Sequence, residues 1–412
     1  MRVYTGLLFF LFLGCFPLNA AGEERSLSLR AFLSEVSRNN PELLSAHSQA
    51  QAASARVAQA WSPGKTRLDI ERMYSPGFGS MGRAGEKNVS LTQELRWPSS
   101  LWLEGSRASL LADVADAAAQ AKARGVLSRA RAAYADYFYA YGGFESLRSS
   151  IEIMRRLARE TEARYAAGRT GQTEALKAQV ELSKTLNAQL LMESELSQAR
   201  SLMNALRDQP SGTELGRPQE PAEPPELGDY ESMEKAVLDS LPELRAARSS
   251  LRAEDKSLAL ARSQWLPDMM LQVRQRTAPM DGGNTWDGVV GFGLPLWFWS
   301  PAAAVREARA NREAAQADLR GLQAFSRYEL RRAYDRFSSA RKAAQLCGTG
   351  LVPQAEQYSK LVEASYLGGR ASFSDFLDAE RTLLDARLQH LQAVADRERA
   401  LAELERMLGR DL

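Results

Sequence analysis

Cysteine and histidine are almost missing from this 412-residue chain, which holds two of each. Two cysteines cannot build a disulfide framework, and His47 and His390 stand too far apart to form a histidine-rich metal motif. An excess of one charge is missing as well: 53 Lys and Arg face 51 Asp and Glu, a net charge of +2. That balance supplies no electrostatic drive towards nucleic acid and no acidic cation sponge. Beyond the N-terminus, no apolar run reaches the roughly 18 residues of a membrane-spanning helix, which excludes a helical membrane transporter. What is present, 44% hydrophobic and 25% charged residues, is the composition of a folded chain.

The N-terminus reads as an export signal. Arg2 precedes the uncharged stretch LLFFLFLGCF, and Pro17 to Ala21 offers small residues for cleavage after Ala20 or Ala21. Within it, Phe12-Leu13-Gly14-Cys15 loosely resembles a lipoprotein box, which makes Cys15 a candidate lipid anchor. After cleavage at Ala20, Cys347 is the single thiol left and no intramolecular disulfide can form.

The remainder is written twice. Pro41-Glu42-Leu43 returns as Pro242-Glu243-Leu244, an offset of 201, and the offset recurs far downstream. Glu162, Ala163, Tyr165, Gly168, Arg169, Leu176 and Ala178 match Glu363, Ala364, Tyr366, Gly369, Arg370, Leu377 and Ala379. This divides the chain into a leader (1–20), a first repeat (21–209), a Pro-rich connector (210–229) and a second repeat (230–412). The connector contains Pro210, Pro218, Pro221, Pro224 and Pro225 and cannot continue a helix.

Each repeat reads in the same order. A helix of moderate length (29–61 and 230–265) leads into a strand hairpin, about 67–97 and 269–296. In the first, Val89, Leu91 and Leu95 alternate with Ser90, Thr92 and Glu94, the period of a strand with one apolar face. Pro295 lies in the fourth strand and marks its transition to helix. Long helices follow, from about 101 to 166 and from about 302 to 367. Gly142-Gly143 and the segment 348–353 are expected to bend or interrupt them. Trp97, Trp102, Trp286, Trp297, Phe298 and Trp299 flank the strand ends as an aromatic girdle would, whereas Trp61 and Trp265 read as ordinary packing residues.

Taken alone, the hairpins suit a half-buried sheet in a soluble protein, and the helices suit a coiled-coil spacer. A spacer does not explain exported hairpins placed identically in both repeats. Four strands cannot close a membrane barrel, because open edges in lipid leave backbone groups unpaired, and bacterial barrels need at least about eight. Copies must therefore pool strands. Three copies give twelve, although two or four also give an even number.

The order of these motifs resembles the TolC-like outer-membrane efflux protein family. The residues that carry the resemblance are Asn40–Leu43 and Leu241–Leu244, Ser90–Pro98, Gly288–Phe298, and the turns Tyr165–Ala178 and Tyr366–Ala379. It covers nearly the whole chain beyond the leader. It implies a mainly α fold with β strands: a homotrimer with a 12-stranded outer-membrane β-barrel on a periplasmic α-helical barrel. The implied partners are a periplasmic adaptor (membrane fusion protein), an inner-membrane pump and outer-membrane lipid, with no nucleic acid and no cofactor.

The resemblance also implies where such a duct would work. The two turns become periplasmic tips, with Gly168, Arg169, Gly369 and Arg370 as adaptor contacts. Asp375 and Asp378 become a cation-attracting ring at the pore entrance. From spacing alone, the two carboxylates share one helix face and suit a solvated first turn better than a ring; the resemblance reverses that order. Arg169 and Arg370 equally suit bonds to the preceding helix ends. Backbone geometry gives the glycines their own reason, a left-handed residue at a tight turn.

No catalytic constellation is present, and Gly291-Phe292-Gly293 lacks the third glycine and following helix of a dinucleotide site. The chain is therefore read as a non-enzymatic exit duct for efflux, for metal cations or small toxic organics. The resemblance leans towards the heavy-metal branch through the segment GLPLWFWSPAAAVREA. A type I protein-secretion duct and an exported coiled coil without a pore are the alternatives.

Overall fold

The computed structural model describes residues 26–73, 86–168, 170–277 and 283–409. The leader with Cys15, both strand-loop tips and Arg169 lie outside the described residues.

The doubling of the sequence becomes a doubling of elements. Strand β1 (Ser26–Leu27) precedes α1 (Leu29–Asn39) and α2 (Pro41–Ala60). Next come β2 (Arg67–Met73), β3 (Glu86–Leu95), the long α3 (Pro98–Ala166) and α4 (Gln172–Leu206). After β4 (Arg217–Pro218), the second repeat runs α5 (Tyr230–Ser240), α6 (Pro242–Ser263), β5 (Asp268–Thr277) and β6 (Asn284–Gly293). It ends with α7 (Trp299–Leu346), a π-helical turn (Cys347–Leu351), α8 (Val352–Leu367) and α9 (Phe373–Leu408). The 69 residues of α3 thus answer to the continuous column 299–367. At 1.5 Å per residue each column is about 100 Å long.

Three details differ from the sequence reading. The helices predicted over 29–61 and 230–265 are each two helices, broken before Pro41 and Pro242. A residue preceding proline is driven out of the helical region, and Asn40 and Leu241 have ψ of 122° and 124°. Asn40 then caps α2, accepting from Glu42 N at 2.9 Å, while its Nδ2 donates to Leu206 O at 2.9 Å. Second, Gly142-Gly143 does not interrupt α3, which runs unbroken through both. These glycines let neighbours approach: a Cβ on Gly142 would fall 2.8 Å from Leu391 Cδ2, and one on Gly143 2.9 Å from Met192 Cε. The interruption anticipated at 348–353 is the π turn, which accommodates Pro353 and its missing amide hydrogen. Third, β6 ends at Gly293, so Pro295 lies beyond the ladder, which it cannot join as a donor.

The helices stand side by side as four columns. Column α3 packs on α2 and α6 near the sheet, and on α4 and α9 towards the tips; α7 and α8 flank α6 and α9. The outer columns are therefore α2 with α4 on one side and α7 with α8 on the other. Equivalent positions build equivalent cores, with Phe32 and Val36 in the first repeat and Met233 and Val237 in the second, all buried. Both outer columns expose apolar residues: Leu190 and Leu191 on α4, Leu361 and Leu367 on α8.

The connector is strapped to the middle of the columns. β1 and β4 pair in parallel through Ser26–Arg217 and Leu27–Pro218. Tyr134 Oη lies 2.8 Å from both Leu27 O and Gln219 O, and burial pushes its hydroxyl up to about 12. Buried Arg397 donates to Pro221 O at 3.1 Å and to Glu398 Oε1, and Arg131 also reaches Glu398.

Candidate functional site: an inverted sheet and two helical tips

The four long strands form one antiparallel sheet in the order β2-β3-β5-β6. Register fixes which side chains share a face, because successive residues point to opposite sides. Leu68 pairs with Leu91 and Ile70 with Val89; Leu91 pairs with Val273; Leu271 pairs with Val290 and Met269 with Phe292. One face is consequently apolar across all four strands.

That face is the exposed one. Ile70 is 70% exposed, Leu91 51% and Phe292 61%, whereas Ser90 and Thr92, on the opposite face, are 6% and 9% exposed. The polar face carries its own hydrogen bonds: Gln272 Nε2 donates to Thr92 Oγ1 at 2.9 Å, and Arg276 pairs with Asp287 at 2.6 Å. In water this arrangement is upside down, since a soluble sheet hides its apolar face. The edges β2 and β6 have no further partner strand among the described residues. Trp102, Trp286, Trp297, Phe298 and Trp299 are more than half exposed near the strand ends.

At the other end of the columns, the chain turns twice. Gly168 has φ +65° and Gly369 φ +70°, and nothing lies within 4 Å of where either Cβ would be. Glycine is required there by backbone conformation and not by crowding. Arg370 is exposed, and its backbone N–H donates to Ser365 O at 2.8 Å.

Asp375 and Asp378 lie in the opening turns of α9, with different attachments. Asp375 closes a capping box: its Oδ2 accepts from Ser372 N at 2.9 Å and Ser372 Oγ at 2.7 Å, and its N–H donates to Ser372 Oγ at 3.2 Å. Those bonds, the hydroxyl's first, hold the exposed carboxyl below the usual aspartate range. Asp378 is 66% exposed with Arg381 Nη1 at 3.6 Å. In the first repeat, Glu174 bonds Thr170, and Lys177 Nζ lies 3.4 Å from Ser374 Oγ across the gap between hairpins.

The sequence reading missed how the hairpins are joined. Arg381 on α9 pairs with Glu181 on α4, Tyr366 stacks on Phe376 with centroids 5.3 Å apart, and Arg164 sits 5.2 Å over the Tyr366 ring. The capping box had a visible signal, Ser372-Phe373-Ser374-Asp375. The pair Glu181–Arg381, 200 residues apart, had none.

Comparison with known proteins agrees with this architecture. The family model described as "Outer membrane efflux protein" matches residues 235–410. The cobalt-zinc-cadmium resistance protein CzcC of Cupriavidus metallidurans is 25% identical over 415 residues, covering 96% of this chain and 92% of that protein. Outer membrane protein TolC of Vibrio cholerae is 23% identical over 401 residues, covering 93% and 90%. Among solved structures, the outer-membrane channel OprN superposes with a TM-score of 0.78 at 20% identity, covering 92% of this chain and 89% of that one. The second repeat thus matches the outer membrane efflux protein model, and nearly the whole chain is similar to CzcC and TolC.

Proposed function

We propose that the chain is the outer-membrane exit duct of a tripartite efflux system, a passive channel and not an enzyme. The observation that carries this is the inverted sheet, whose apolar face needs lipid and whose polar face needs water. Three copies of a four-stranded sheet supply the twelve strands of a closed barrel, removing the edges β2 and β6 that lipid would not tolerate. The same threefold closure brings the α2/α4 column of one copy against the α7/α8 column of the next, covering both apolar flanks. The two repeats then act as half-units of one cylinder running into the periplasm.

At its periplasmic end, Gly168, Arg169, Gly369 and Arg370 form the tips that meet a periplasmic adaptor, which links the duct to an inner-membrane pump. Asp375 and Asp378 form the entrance charge. Similarity to a cobalt-zinc-cadmium resistance protein supports metal cations as cargo, and the pump selects it.

The test is single-channel conductance of the detergent-purified protein, with its mass measured in parallel. The expected result is a conducting trimer whose cation selectivity falls in Asp378→Asn. Asp375→Gln separates charge from capping, because glutamine at this position keeps a capping box while removing the carboxylate. A conducting trimer indifferent to both substitutions would remove the entrance ring and keep the duct. A soluble monomer without conductance would leave a coiled-coil spacer.

A further inference from the structure

The two repeats treat one tryptophan differently. In the first, Trp61 follows α2 and lays its indole on the backbone of Gly105 in α3; a Cβ at Gly105 would fall 2.3 Å from Trp61 Cε2. The corresponding tryptophan, Trp265 just beyond α6, lines a cleft together with Arg306 of α7. A cleft of about 570 Å³ stands open there, lined by Trp265, Phe298, Trp299, Ala302, Val305 and Arg306. The sequence reading took Trp265 for an ordinary packing residue; it is 47% exposed and forms one wall of this cleft.

We propose that this cleft binds an anionic phospholipid of the leaflet that meets the helices. Its phosphate would sit on the Arg306 guanidinium, and its glycerol and upper acyl chain between the aromatic rings. The inference rests on the lipid-facing reading of the sheet and adds a site to it. Three observations carry it. The exposed apolar series Val290, Phe292, Leu294, Leu296 and Phe298 leads from the sheet into the cleft, so the cleft continues the surface that lipid covers. The lining is graded in the order of a phospholipid: indole and phenyl rings nearest the sheet, Ala302 and Val305 next, then a cation farther along α7. Tryptophan favours this interfacial depth, and a guanidinium fork matches phosphate oxygens. This cleft implies one such lipid per chain.

The experiment uses the full-length protein in phosphatidylcholine nanodiscs carrying a minor fraction of phosphatidylglycerol. Insertion is scored first by flotation, and retained lipid is then counted by native mass spectrometry. The expected result is one phosphatidylglycerol per chain, retained about tenfold over phosphatidylcholine, the factor a charge-assisted contact supplies. Arg306→Gln and Arg306→Ala should abolish that preference without altering insertion. Ala302→Trp, which fills the cleft, should displace the lipid while leaving Arg306 in place. Inserted protein with no preference for phosphatidylglycerol, or a preference unchanged in Arg306→Gln, would overturn the site and leave the lipid-facing sheet standing. An altered oligomer mass in Arg306→Gln with an unchanged lipid count would assign the cleft to a second copy of the chain. Failure to insert into either lipid would overturn the sheet reading itself.

Discussion

Arg381 Nε donates to Glu181 Oε2 at 2.8 Å, joining helix α9 of the second repeat to helix α4 of the first just behind the two tips. Glu181 is buried and also accepts from Lys184 at 3.0 Å; Arg381 in turn lies 3.6 Å from Asp378. The Arg381 hydrogen bond, more than any other influence, holds the Glu181 carboxyl below the usual range. One guanidinium thus links the hairpins and lies beside Asp378, the more weakly attached of the two carboxylates that open α9.

Replacing Arg381 should therefore destabilise the join between the hairpins. Arg381→Met leaves the buried Glu181 carboxylate with Lys184 as its remaining cation, at a cost of about 1.5–3 kcal/mol, whereas Glu181→Gln/Arg381→Met should recover much of that loss. Chemical denaturation of the four proteins in the cycle measures the coupling. Independent, additive losses would show that the two side chains do not act as a pair.

The sequence made the repeat, the hairpins and the position of both tips legible because each rests on local chemistry: Gly168 and Gly369 at left-handed turns, Val89 and Leu91 at strand period. It did not make the sense of the sheet legible. Alternation at Val89–Leu95 states that one face is apolar, and only the pairing across β3 and β5 states that this face is the bare one. Pro41 and Pro242 were visible as motifs, yet their effect depends on Asn40 and Leu241 turning extended. Glu181 and Arg381 meet because α4 and α9 both flank α3, a fact of topology without local trace.

Glu42 gives a pH prediction whose sign can be worked out. Hydrogen bonds from Arg129 at 2.8 Å and from Lys122 at 2.5 Å lower its carboxyl from 4.5 to about 2. A depressed carboxylate stabilises the fold fully above its unfolded value, and that contribution disappears as pH falls through the folded value. Wild type should therefore melt above Glu42→Gln at neutral pH by an amount that stays constant down to about pH 4.5 and vanishes near pH 2. A difference that persists at pH 2 would mean glutamine perturbs α2 by some route other than charge.

Gly105 predicts a rescue. Gly105→Ala sets a methyl 2.3 Å from the Trp61 ring, so the indole must leave the helix junction, at about 1–3 kcal/mol for overpacking. Trp61→Leu should be mildly destabilising alone and should make Gly105→Ala nearly neutral. Gly168→Ala offers the contrast, since its cost is backbone strain, about 1–2 kcal/mol, and no neighbouring substitution can relieve it. Thermal melts of the single and double variants check both statements. Failure of Trp61→Leu to relieve Gly105→Ala would place the strain in the α3 backbone.

The inverted sheet predicts that neighbouring residues in one strand respond oppositely to charge. Leu91 points to the apolar face and Thr92 to the polar face, where Gln272 already bonds it. Leu91→Arg should weaken insertion by about 2–4 kcal/mol per chain, the cost of a cation on the lipid face of a barrel near its middle. Thr92→Lys carries the same charge into a water-facing lumen, where the long side chain can reach solvent, and should leave insertion nearly unchanged while shifting ion selectivity towards anions. Outer-membrane fractionation and refolding into lipid vesicles read the first effect, and reversal potentials read the second. If Leu91→Arg inserts as well as wild type while Thr92→Lys does not, the lipid and water faces have been assigned the wrong way round. If both insert normally, this sheet does not span the membrane at all.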